Sequence, residues 1–75
     1  MKELLHYIAI NMVDDKDAIE ITEIEKDFGS TLQLKVAEGE TGRMIGRNGR
    51  TAKEIRALMR AANRGGEKVM VDFVD

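Results

Sequence analysis

The sequence contains no cysteine, no proline and no tryptophan, and a single histidine, His6. Without cysteine there is no disulfide framework, no thiolate metal site and no sulfur nucleophile. One imidazole leaves no room for a His-rich zinc centre or for a serine–histidine catalytic pair with an imidazole to spare. A long apolar run is missing too. The greasiest stretch, residues 4–13, falls well short of the roughly 20 residues a membrane-spanning helix needs, and His6 and Asn11 interrupt it. No small-x-small cleavage site follows it before the acidic Asp14-Asp15-Lys16-Asp17. These absences point to a cytoplasmic protein with no membrane association.

What is present fits one small folded body. The chain has 75 residues, 43% hydrophobic and 35% charged, too apolar for a disordered segment. A domain of this size hides only about 60% of its unfolded surface, so its core is thin and its stability draws on a partner surface. Residues 1–75 read as a single domain, and a binding module suits so small a body better than an elaborate active site.

The formal net charge of −2 conceals a sorting along the chain. Residues 42–64 hold Arg43, Arg47, Arg50, Lys53, Arg56, Arg60 and Arg64 against the single carboxylate Glu54. The remainder is strongly acidic. A surface field depends on charge within about a Debye length, roughly 8–10 Å, so a local basic face survives an acidic total. Charge runs are usually solvated helix faces. Here the cations are nearly all arginine, whose forked donors suit phosphate, and glycines neighbour them; a polyanion-binding face is the stronger reading.

Periodicity supplies a coarse map. Residues 2–13 read as a helix with Leu4, Leu5, Ile8 and Met12 on one side, leaving Tyr7, Ile10 and Val13 as scattered surface residues or part of a subunit interface. Residues 18–28 read as a strand whose apolar phase slips between Ile21 and Ile24, which suggests a bulge or strong twist. Gly29-Ser30 marks a turn, and residues 31–37 alternate with Leu32, Leu34 and Val36 inward, completing an antiparallel hairpin. Residues 40–45 suit one helical turn capped by Thr41. Residues 51–63 form the most secure helix, with an Ile55, Leu58, Met59, Ala62 seam and a Thr51-x-x-Glu54 capping box. Lys53, Arg56, Arg60 and Arg64 fall opposite that seam. Gly65-Gly66 stops the helix, and residues 67–74 form a last strand with Val69, Val71 and Phe73 on one face. The order is α-β-β-α-α-β. A helical crossover makes the last strand parallel to the second, giving an α+β fold of three strands in a mixed sheet with helices packed on one face.

Between the two later helices lies Gly46-Arg47-Asn48-Gly49. Paired glycines let backbone turn tightly and approach a ligand closely. The next helix presents its free N–H groups and positive dipole end to the same place, which favours phosphate. Arg47 adds charge; Asn48 adds a donor and tolerates a left-handed backbone. A bare Gly-x-x-Gly can equally be a plain connection with Gly46 as C-cap. Ile45 before it and cations on both sides make it more informative.

The run Gly42-Arg43-Met44-Ile45-Gly46-Arg47-Asn48-Gly49-Arg50-Thr51 resembles the signature segment of a KH domain, and the element order is similar to the bacterial type II variant. Length, the helix leading into a hairpin and this run together resemble the small single-domain KhpA family across essentially the whole chain. One position departs from the pattern: Ala52 stands where KH domains usually carry a bulky aliphatic. The resemblance implies binding of about four single-stranded nucleotides with the loop clamping the backbone. On that basis Gly46 and Gly49 allow close approach and Arg47 and Asn48 meet phosphates. Arg43, Arg50, Lys53 and Arg56 flank them, and Ile45, with Ala52, lines the apolar side of a base groove. None of Tyr7, Phe28 and Phe73 neighbours the loop in sequence, so base stacking on rings is not expected and sequence preference is modest. The resemblance further implies an RNA chaperone or post-transcriptional regulator. It would form a homodimer, or a heterodimer with a larger KH-containing partner tied to cell elongation and division.

Three rival readings follow from the same residues. Catalysis has little support: the glycines at 42, 46 and 49 do not fit Gly-x-Gly-x-x-Gly, and no Gly-Lys-Ser/Thr follows. Asp14, Asp15 and Asp17 do not meet the EF-hand pattern, and His6 reads as a surface residue, so no metal, cofactor or small-molecule substrate is expected. A protein-interaction adaptor using the basic helix, or a binder of single-stranded DNA, stays open.

Overall fold

A computed structural model of the chain describes residues 1–27 and 29–74. The order is α1 (Lys2–Ile10), β1 (Glu20–Lys26), β2 (Gly29–Lys35), α2 (Thr41–Ile45), α3 (Arg50–Ala62) and β3 (Lys68–Val74), with single 3-10 turns at Lys16–Ala18 and Arg47–Gly49. The α+β class and the α-β-β-α-α-β order stand as expected.

The sheet order is β1-β2-β3. β1 and β2 are antiparallel, from Glu20 opposite Lys35 to Lys26 opposite Gly29. β2 and β3 are parallel, with Leu32 opposite Val71 and Leu34 opposite Phe73. Alternation then sends Leu32, Leu34 and Val71 to one face, where they meet Leu5, Ala9, Val13, Met44, Ile55 and Met59 of the helical layer. The other face carries Ile24, Thr31 and Met70 in one row.

Several sequence expectations need correcting. Pairing of β1 runs one to one, so the slip between Ile21 and Ile24 is no bulge. Ile21 faces inward beside Leu34, while Ile24 lies on the outer face, as an edge strand permits. Gly29 and Ser30 are not the turn but the start of β2. A Cβ on Gly29 would lie 2.0 Å from the carbonyl oxygen of Lys68, which is why this strand position is a glycine. Phe28, expected to end the first strand, lies outside the described residues.

Helix ends also differ. α1 stops at Ile10, with Asn11 bonding back to the Tyr7 carbonyl (2.8 Å). That frees Val13 to turn into the core, instead of lying outside the apolar stripe. The α3 seam is narrower than its sequence pattern, consisting of Ala52, Ile55 and Met59; Leu58 and Ala62 face solvent, Leu58 at 51% exposure. Neither Thr41 nor Thr51 caps a helix: Glu40 and Gly49 hold the cap positions, and among the described residues no side chain makes a cap bond at either start. The stop after α3 comes from Asn63, whose side chain donates to the Glu67 carbonyl and accepts from the Gly65 amide, ahead of Gly65-Gly66.

Candidate nucleic-acid interface

The turn of the loop itself is closed by local contacts. Gly46 leaves α2 at φ 77° and ψ 173°, its amide bonded to the Gly42 carbonyl at 2.8 Å. Asn48 (φ 57°) and Gly49 (φ 75°) both hold a left-handed backbone, and the Gly49 amide closes the turn onto the Gly46 carbonyl at 3.1 Å. The two glycines are required for different reasons. A Cβ on Gly46 would come within 2.2 Å of Thr51 Oγ1 and 2.8 Å of the Thr51 amide, so the loop folds directly against the start of α3. A Cβ on Gly49 would meet nothing within 4 Å, so only its φ favours glycine.

α3 begins at Arg50, and among the described residues no side chain caps its first N–H groups. Arg47, Asn48, Arg50 and Lys53 are all exposed around that terminus. Among the described residues no carboxylate lies within 4 Å of Arg47, Arg50 or Lys53, whereas Arg43 is paired twice. The loop and the first turn of α3 thus place three cations, none with a carboxylate of the described residues within 4 Å, at the positive end of a thirteen-residue helix.

The remaining expected site residues are distributed around this centre. Ile45 lies beside the loop at 37% exposure. Arg56 bonds through Nε to the Val71 carbonyl (3.0 Å), with its guanidinium 5.3 Å from the Phe73 ring centroid. It borders a cleft of about 500 Å³ between α3 and β3, with Arg60, Asn63, Lys68 and Val69 on its walls. Arg43 turns the other way. Two positions from Ile45 on a helix, it leaves from nearly the opposite side. It pairs there with Asp14 (3.3 Å) and Glu40 (3.5 Å). Ala52 does not line a surface groove, since it is 3% exposed and counts among the buried apolar residues. Arg64 lies past the end of α3, outside the helical stripe expected of it.

Sequence reasoning missed Glu40, because its partners stand 25 and 26 residues away in the chain. It also missed the Arg56–Phe73 pair, which the α3–β3 crossover brings together. Among the described residues no group of three or more His, Asp or Glu side chains could hold a metal ion, and no helix is long and apolar enough to cross a membrane.

Comparison with known proteins converges on one family. Residues 2–73 match the family described as KhpA/KhpB, KH domain. An RNA-binding protein KhpA from Clostridium acetobutylicum is 37% identical over 75 residues, covering 99% of this chain and 100% of the relative. The Chlamydia trachomatis protein of the same name is also 37% identical, over 100% of this chain and 97% of its own. That of Aquifex aeolicus is 32% identical over 100% and 96%. No solved structure matches. The relatives are named as binding proteins, not as catalysts, and the sheet order, glycine loop and full-length match agree: the chain belongs to the KhpA/KhpB family of KH domains.

Proposed function

We propose that this chain binds single-stranded RNA, gripping the sugar–phosphate backbone with residues 46–49. The observation that carries this reading is the exposed left-handed turn with Arg47, Arg50 and Lys53 at the start of α3. Backbone phosphates meet the turn and the free N–H groups of α3. Bases extend into the cleft beside Arg56 and β3, where few contacts can distinguish them. Full-length relatives named RNA-binding proteins support the ligand class. In this reading the chain acts in the cytoplasm as an RNA chaperone or post-transcriptional regulator. It self-associates, or pairs with a larger KH-containing protein, through apolar surface that includes Tyr7 and Leu58, 63% and 51% exposed.

The double substitution Arg47→Asp with Asn48→Asp tests the grip. Both side chains are exposed, so circular dichroism should show an intact fold while mobility shifts with oligo(U) disappear. Binding undiminished in the folded variant would remove the loop from the interface. Wild-type affinity should fall with log salt at about −0.7 per phosphate contacted; an adaptor would show little RNA affinity at any salt. Competition with oligo(dT) separates RNA from DNA, and light scattering at micromolar concentration should report an oligomer.

A further inference from the structure

We propose that Glu40 is a positioning residue for the glycine loop, acting through α2 without touching the ligand. α2 has only five residues, far below the roughly 12–15 at which a helix holds itself in water. Its direction must come from what it is tied to. Met44 ties its C-terminal end, fully buried in the core. Its start is tied by Glu40, whose main chain opens the helix: the amide donates to the Ala37 carbonyl and the carbonyl accepts from Arg43, both at 3.0 Å.

The Glu40 side chain reaches elsewhere. Its carboxylate, only 12% exposed, accepts the backbone amides of Asp14 (2.6 Å) and Asp15 (3.1 Å). Arg43 approaches the same carboxylate at 3.5 Å and reaches on to Asp14 at 3.3 Å. One side chain thereby joins the turn after α1, anchored by buried Val13, to the first turn of α2. Amide-to-carboxylate bonds are among the stronger hydrogen bonds. The Gly46 amide is bonded to Gly42, so the loop inherits the direction of α2 with little slack.

This role and plain electrostatics make opposite forecasts. A carboxylate at the start of α2 repels a polyanion, and by charge alone its removal should tighten RNA binding. A positioning role requires the reverse. It rests on the proposed RNA function for its binding readout, but not for its spectroscopic one.

The test compares Glu40→Ala and Glu40→Gln with the wild-type chain, using fluorescein-labelled oligo(U) and amide NMR. Glu40→Ala should weaken binding by about tenfold with an unchanged salt slope, since no phosphate contact is lost, and should shift the Gly46 and Gly49 amide resonances. Glu40→Gln keeps an acceptor oxygen for the Asp14 amide but turns an NH2 donor toward the Asp15 amide, so it should recover part of the affinity lost in Glu40→Ala, with both resonances between their wild-type and Glu40→Ala places. If Glu40→Ala fails to fold, Glu40→Asp, one methylene too short, carries the same expectation. Binding by a folded Glu40→Ala as tight as wild type, with Gly46 and Gly49 unmoved, would overturn the proposal. Shifted glycine resonances in a protein that never binds oligo(U) would support the positioning while overturning the RNA reading.

Discussion

The two helices that flank the glycine loop are held in place by different means. α3 is thirteen residues long and buries a stripe at helical spacing, Ala52, Ile55 and Met59. α2 has five residues and buries only Met44. One helix is written into a local pattern, while the other exists because distant parts of the chain hold it. The loop between them is thus fixed on one side by packing of a whole helix and on the other by one thioether and one carboxylate.

Met44→Ala should break this contrast most strongly. Truncating a fully buried methionine costs about 2–5 kcal/mol. Thermal unfolding should register that loss, and hydrogen exchange should show amides of residues 42–49 losing protection before those of residues 55–59. Equal loss in both segments would mean that α2 and α3 form one cooperative unit.

A pair of alanine substitutions sharpens the comparison at the loop itself. Gly46→Ala drives a Cβ into the Thr51 backbone and should destabilise by about 1–3 kcal/mol, with oligo(U) affinity falling alongside. Gly49→Ala meets open space and should cost about 1 kcal/mol for its left-handed backbone alone. Thr51→Ala is the smallest. Because no side chain among the described residues caps α3, denaturant unfolding should move by less than about 0.5 kcal/mol; a loss near 1 kcal/mol, typical of a removed cap, would restore the capping box.

Legibility followed the range of the interactions. Alternation in Thr31-Leu32-Gln33-Leu34 exposed β2, since its inward residues are buried whatever surrounds them. The turn at Gly46–Gly49 was visible because positive φ is a property of the residues themselves. The phase of β1 was misread because an edge strand leaves Ile24 free to sit on the outer face. Leu58 was misassigned because helical spacing gives an apolar arc but not how much of it a thin core covers. Glu40 carried no local signal, since a bond between residues 14 and 40 exists only once the fold brings them together. Arg43 read as one more cation of the basic run for a related reason: the nearer of its two carboxylate partners, Asp14 at 3.3 Å, lies on another segment.

The parallel pairing of β3 with β2 has a consequence for assembly. Leu34 meets Phe73 across that ladder, and the entire loop-bearing segment lies between them in the chain. Closing so long a connection is the slow, entropically costly step of such a topology. Both the α3–β3 cleft and the perch of Arg56 on the Val71 carbonyl require residues 68–74 to be docked, so neither exists until that connection closes.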